Sequence, residues 1–326
     1  MKTPTISIAI PTYNRQEMLR KTMHSMINQQ TEGNFTYEIL IIDDASTDNT
    51  AAVVEEISRS SPVPIRYITE KGRGYTAVLN RAVLEFHGQW LAFFDDDQYA
   101  GSTWLNELYQ YALNHSADMV GGPILLDLPE ELLAKIGPVC RDLLGESPDA
   151  RHPEQYKENP PLPGGGNRLV KRYVFQTVGP FDETMLTGGC DRDFLLRARA
   201  AGIKMGWAFP AIAYHQIPQE RVTYNHIKWY SLQWGCSFAY IDWKRFGLVK
   251  TSLSCLARIG QALLINIPRL IWLKTQGNKP KIIDRQALLW RAVGYSRRTL
   301  QIISPKLFNQ EKFFSRVEFR RARENT

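Results

Sequence analysis

Cysteine is scarce in this chain: the four residues among 326, Cys140, Cys190, Cys236 and Cys255, form no CxxC pair and no metal-ligand spacing. This argues against a disulfide framework or a zinc site and fits reduced thiols in a cytosolic compartment. Long apolar runs are missing too. The best candidate, near the C-terminus, is broken by Arg258, Pro268 and Arg269, so no segment is expected to span a membrane. The opening "MKTPTISIAIPTYNR" has one lysine, a short apolar run containing Pro11 and no small-residue cleavage site, so no signal peptide is expected. There is no internal repeat.

What remains is an ordinary globular composition, 44% hydrophobic, sufficient for one large α/β domain with an appendage or for two domains. The formal net charge of +7 hides an asymmetry. Residues 244–326 hold 18 Lys+Arg against 4 Asp+Glu, and residues 1–243 hold 22 against 29. An acidic body therefore carries a basic tail, which could meet nucleic acid, anionic lipid or an acidic substrate.

Strands and helices alternate through the body. "TISIAIPTY" reads as a buried strand, and "RQEMLRKTMHSMINQQ" follows with Leu19, Met23, Met26 and Ile27 at helical spacing. "YEILIIDDAS" repeats the strand signature and "TDNTAAVVEEISR" opens a helix that Asp48 can cap. "IRYIT", "GYTAVLNRAVLEFH", "QWLAFF", "STWLNELYQYALNH" and "DMVGGPI" continue the alternation, which predicts a mostly parallel sheet with helices on both faces. Regularity fades between Leu125 and Pro163, where "ESPDARHPEQYKENPPLP" reads as an exposed loop. It resumes at "GGGNRLVKRYVFQTVG", "FDETMLTGGCDRDFLLRARAAG" and an apolar strand, "MGWAFPAIAYH".

Ligands of such sheets bind outside the carboxyl ends of the strands. Asp43 and Asp44 fall at one such end and Asp95, Asp96 and Asp97 at another. A lone Asp pair is weak, since Asp also forms turns and caps. Three adjacent carboxylates repel one another, however, unless something positive sits among them, and a divalent metal is the natural candidate.

In order and approximate spacing, "IAIPTYNR", "ILIIDDASTDNT", "LAFFDDDQ", "GGGNRLVKRYVF", "GGCDRDFLLRARAAG" and "YHQIPQERV" resemble glycosyltransferase family 2 over roughly residues 4 to 240. The resemblance implies the GT-A fold, a Rossmann-like, mostly parallel mixed sheet, and inverting sugar transfer from a nucleotide donor. It implies a catalytic domain over residues 1–243, with a nucleotide-binding half about 1–124 and an acceptor half about 125–243, followed by a basic amphipathic helical extension over 244–326.

Residue by residue, the resemblance places Pro11, Thr12, Tyr13 and Asp44 at the nucleoside, where a carboxylate can accept a pyrimidine N–H and a ring can cover the base. It places Arg73, Asp95 and Asp96 near the nucleotide, and Asp97 on Mg²⁺ or Mn²⁺ bridging the donor diphosphate, with His215 reaching the metal or diphosphate. Gly165, Gly166 and Asn167 would line the donor sugar and acceptor, and Arg221 would clamp phosphate. Asp191 holds the position of the acceptor base, but Cys190 stands where the family has a supporting Glu. Asp193, two residues on, matches a position that bonds local backbone.

Two alternatives stay open: a nucleotidyltransferase, although "PTYNR" stands where its Gly-rich, Lys-bearing loop would be, and a non-catalytic nucleotide- or sugar-binding module. The Gln-x-x-Arg-Trp signature of processive synthases is absent, which favours single-sugar addition. In the tail, Leu253, Leu256, Leu263, Leu264, Ile267, Leu270 and Ile271 form an amphipathic stripe among Arg258, Gln261 and Arg269, with Trp272, Trp290, Phe313 and Phe314 nearby. It would pack against the protein or a partner, or lie on an anionic membrane. No nucleic-acid partner is expected, and the expected setting is the cytoplasm, peripheral at the cytoplasmic membrane face, with a glycan or lipid-linked acceptor.

Overall fold

The computed structural model describes residues 3–148, 150–155, 161–185 and 188–308. β1 (Ile6–Thr12) and β2 (Tyr37–Asp43) are buried at every position, as continuous apolar runs require when both faces of a sheet are covered. They pair in parallel, from Ile6 opposite Tyr37 to Thr12 opposite Asp43. β3 (Ile65–Thr69) extends the sheet beyond β2, and β4 (Trp90–Phe94) lies on the other side of β1. Helices α1 (Gln16–Ile27), α2 (Thr50–Ser60) and α3 (Tyr75–Glu85) make the crossovers that parallel neighbours need. The cap position of α2 falls to Asn49, not Asp48, although Asp48 accepts from the backbone N–H of Thr50, the first residue of the helix.

Beyond β4 come β5 (Gln98–Ala100), α4 (Trp104–Asn114), β6 (Met119–Gly121) and β7 (Ile124–Asp127), then short helices α5 (Glu130–Leu133) and α6 (Pro138–Leu143). β8 (Asn167–Lys171), α7 (Arg172–Val178), α8 (Cys190–Ala200), β9 (Met205–Trp207) and β10 (Ala213–Gln216) follow. The main sheet has the order β3-β2-β1-β4-β8-β6-β9, with β8 antiparallel to both neighbours, and β5-β10-β7 form a small second sheet.

Two expected strands divide between these sheets. "DMVGGPI" becomes β6 and β7, and "MGWAFPAIAYH" becomes β9 and β10. Pro123 and Pro210 interrupt the ladders, and the segments pass so closely that a Cβ on Gly122 would lie 2.2 Å from the Ala211 carbonyl oxygen.

The chain forms two compact units, one of Met1–Asp127, Glu146–Glu183 and Cys190–Gln216, the other of Leu128–Gly145, Thr184–Gly189 and Ile217–Thr326. All ten strands belong to the first. The second contains α5, α6, α9 (Tyr224–Gln261), a π-helical turn at Ala262–Asn266, α10 (Ile267–Gln276) and α11 (Lys279–Ile303). The boundary expected at 243/244 falls inside α9, whose backbone leaves the helical region only at Gly247, with φ 75°. The backbone breaks its helical path there, a few residues beyond the change in charge.

Inside the second unit α9 and α11 meet backbone to backbone. A Cβ on Gly235 would come within 2.1 Å of the Arg291 carbonyl oxygen, and one on Gly294 within 2.1 Å of that of Leu232. Cys236 Sγ donates to the Gly294 carbonyl at 3.2 Å.

The run Tyr224–Gln276 is long and apolar enough to cross a membrane by length and composition, contrary to the expectation from uninterrupted runs. The average over a window tolerates the arginines that break the run. Only 11% of that window is buried, which excludes an ordinary core helix. Trp290 is engaged within the unit: its Nε1 donates to Tyr224 Oη and Lys228 covers its ring. Phe313, Phe314 and the basic run "FRRAR" lie outside the described residues.

Candidate active site

The carboxylates of the rim gather where strands of the main sheet end. Asp95, Asp96 and Asp97 leave β4 directly, and β5 follows. Pairing of β5 with β10 sets His215 opposite Gln98 and brings His215 Nε2 to 3.3 Å from Asp97 Oδ2. The positive group among the three carboxylates is Arg15, at the start of α1, whose Nη1 donates to Asp96 Oδ1 at 2.8 Å and also to Asp97 Oδ2. The charge argument that pointed to a cation applied equally to this side chain, which stood unassigned inside "PTYNR".

β8 and α8 complete the rim. Asp191, in the first turn of α8, accepts a 2.7 Å bond from Arg168 Nη2. The glycines before β8 run close to both carboxylate positions: a Cβ on Gly166 would lie 2.0 Å from Asp95 Oδ2, and one on Gly165 3.0 Å from Asp191 Oδ2. Tyr75, opening α3, donates to Asp95 Oδ1 at 3.4 Å. Burial, with Asp191 and Asp95 nearby, pushes its phenol far up, so it stays a neutral donor. Asp193 points away from this rim and takes Arg197 Nε at 2.7 Å.

Burial, and then the charges of Asp97 and Asp191, push Asp95 up to about 7, with His215 opposing. The folded protein therefore holds this proton more tightly than an unfolded chain, whose ordinary value is 3.8. Between those values folding takes up a proton, so stability falls as the pH rises towards 7. With metal chelated, the melting temperature should drop between about pH 5 and about pH 8 by more in the wild type than in Asp95→Asn. An equal drop in both would contradict this origin.

Where the nucleoside is expected, two turns are stitched together. Asn14, at φ 49°, receives Thr47 N–H on Oδ1 at 2.7 Å and donates its own N–H to Ser46 Oγ at 2.9 Å. Asp44 N–H donates to the Thr12 carbonyl, and both Asp44 carboxylate oxygens accept from Gly74 N–H, at 3.0 and 3.1 Å. Pro11 and Thr12 are buried in β1, with Tyr13 half-buried beyond them.

Three further assigned residues have these surroundings. Asn167 is fully buried and spent on the framework: Oδ1 accepts from Trp104 Nε1, and Nδ2 donates to the Pro123 and Ala211 carbonyls. It ties strands together and does not face a ligand. Arg73 pairs with Glu70 and Glu183. Arg221 belongs to the second unit.

Among the described residues no three His, Cys, Asp or Glu side chains are grouped to hold a metal alone. The arrangement still fits a hard cation of the Mg²⁺ type, which takes one or two carboxylates and completes its shell with phosphate oxygens and water. Asp97 supplies such an oxygen from a carboxylate that Arg15 and His215 also approach.

The model of "Glycosyl transferase family 2" matches residues 7–179, just over half of the chain. Among similar sequences, Glycosyltransferase AglE of Haloferax volcanii is 27% identical over 215 residues, covering 65% of this chain and 67% of AglE. Chondroitin synthase of Escherichia coli is 27% identical over 65% of this chain, which spans only 35% of that enzyme. Among solved structures, the mannosyltransferase PcManGT of Pyrobaculum calidifontis, in complex with GDP-Man and Mn²⁺, superposes with TM-score 0.61 over 90% of this chain and 88% of its own, at 14% identity. S. aureus TarS 1-349 in complex with UDP-GlcNAc gives 0.51 over 92% of each chain, also at 14% identity. These likenesses show the fold, which is GT-A with a C-terminal helical extension.

Proposed function

Because the chain belongs to Glycosyl transferase family 2, we propose that it is an inverting transferase that moves a sugar from a nucleoside-diphosphate donor to an acceptor hydroxyl. The observation that carries this reading is the convergence of Asp191 and the Asp95–Asp97 cluster on one rim, with Gly165 and Gly166 close to both. In the reaction Asp191 Oδ2 takes the hydroxyl proton as the acceptor oxygen bonds to the anomeric carbon. The bond from that carbon to the diphosphate breaks on the opposite face, and its electrons leave with the phosphate. Asp97, with His215 beside it, would hold a divalent cation, Mg²⁺ or Mn²⁺, whose chemistry is to neutralise a departing diphosphate. Tyr13 and Asp44 would hold the base, and Gly165 and Gly166 give the sugar room.

The donors bound by PcManGT and TarS make GDP-mannose and UDP-GlcNAc the first probes. With Mn²⁺, one of UDP, GDP, dTDP and CDP should raise the melting temperature clearly above the others, since binding to the folded state alone stabilises it. Calorimetry then separates the roles. Asp97→Ala should weaken binding of the matching nucleotide-sugar about tenfold or more with Mn²⁺ and little in chelator, whereas Asp44→Ala, which also frees the Gly74 amide, should weaken it in both. Equal losses in all conditions would remove the division, and no response to any nucleotide would remove the transferase reading.

We infer further that the protein works at an anionic lipid surface, on the cytoplasmic face, with a glycan or lipid-linked acceptor. Leu256 and Leu264 are 65% and 79% exposed on the α9–α10 run, beside exposed Trp272. Lys244, Arg245, Lys250, Arg269 and Lys274 stand exposed along the same run, and lipid phosphate answers both features.

A further inference from the structure

Three arginines near the rim serve different ends. Arg172 donates to the Phe86 and Gly88 carbonyls, and Arg197 to those of Val178 and Pro180. Both therefore brace loops. Arg168 is the most deeply buried, at 0% exposure, and among the described residues its Nε and Nη1 have no hydrogen-bond partner. Its guanidinium lies 4.7 Å from the Phe93 ring centre, 5.3 Å from Phe181 and 5.9 Å from Phe194. Those faces offset part of the charge, and Asp191 is its one ion-pair partner among the described residues. A guanidinium costs a great deal to bury among phenylalanines, and an arginine kept only for stability would more easily be apolar.

The bond from Arg168 occupies Asp191 Oδ1, while Oδ2 faces Gly165. Cys190, where the resemblance has a supporting Glu, offers only a weak substitute: burial and the Asp191 charge keep its thiol uncharged, and its Sγ donates to Oδ2 at a long 3.9 Å.

We propose that Arg168 is the positioning residue for the acceptor base, fixing Oδ1 of Asp191 so that Oδ2 is held towards the acceptor hydroxyl. This rests on Asp191 being the base. From β8 it gives Asp191 a charged partner where Cys190 gives only a long thiol contact.

The test measures release of nucleoside diphosphate from UDP-GlcNAc or GDP-mannose with Mn²⁺, whichever the wild type turns over. Arg168→Met should lower turnover roughly tenfold to a hundredfold, with donor KM within about twofold, and Arg168→Lys should recover part of the loss. In an Asp191→Asn background, Arg168→Met should change turnover by less than about twofold, because the two act as a unit. Wild-type turnover in Arg168→Met, a loss confined to donor KM, or full additivity with Asp191→Asn would overturn the proposal. If Arg168→Met lacks a cooperative melt, Arg168→Lys carries the same cycle, and its retaining wild-type turnover overturns the proposal. Wild-type turnover in Asp191→Asn refutes the base assignment itself, whereas an inactive Asp191→Asn beside a fully active Arg168→Met refutes only the role of Arg168.

Discussion

Asp191→Asn is expected to lower turnover by about 10²- to 10⁴-fold while leaving nucleoside-diphosphate binding almost unchanged, because a base acts in the transition state and not on the bound donor. The substitution has a second consequence. An amide oxygen can still accept from Arg168 Nη2, but the counter-charge of a fully buried guanidinium is gone. Breaking a buried pair from one side costs about 3–5 kcal/mol. The Asp191 side chain is 26% exposed and an acceptor remains, so the loss should fall towards or below the lower figure. The mutant should therefore melt several degrees lower than the wild type, and Asp191→Ala lower still. Unchanged turnover would move the base elsewhere on the rim, and not readily to Asp193, which Arg197 already occupies.

Sedimentation with vesicles should give the other large effect. The protein should pellet with phosphatidylcholine vesicles containing phosphatidylglycerol at low salt and be partly released at high salt, since each basic residue near an anionic leaflet contributes about 1 kcal/mol. Leu256→Glu with Leu264→Glu should keep it in the supernatant. Both side chains already face solvent, so the fold should tolerate the change. Within the run Asn266, 4% exposed, accepts from Arg285 Nη1 of α11 at 2.9 Å, which puts a charged side chain against its middle. Equal recovery in the supernatant with neutral and anionic vesicles would remove the membrane reading.

The parallel half of the fold was legible because β1, β2 and β4 are mostly apolar runs, interrupted only by pairs such as Ser7 and Glu38, and are followed by periodic helices, a pattern that two covered faces impose locally. The ends of those strands announced the acidic rim for the same reason. What escaped depends on partners far along the chain. Arg15 meets Asp96 and Asp97, 81 and 82 residues away, and Arg168 meets Asp191 across a turn and a helix. Neither pairing leaves a local trace. Asn167 misled because a Gly-rich stretch reads as open backbone, whereas its side chain turns inward to Trp104. Arg73 was legible as a charge but not as one already matched by Glu70 and Glu183. The split of "MGWAFPAIAYH" into two sheets hangs on the close passage of Gly122 past Ala211, which no periodicity records.

Gly235 and Gly294, where α9 and α11 touch, make a joint that does not care what solvent surrounds it. Helices joined by greasy side chains lose their reason to associate once those side chains can dissolve in lipid instead. Helices joined by the fit of bare backbone keep theirs, because close contact gains as much in oil as in water. A helical unit assembled in this way could wet one flank with acyl chains and still hold its shape.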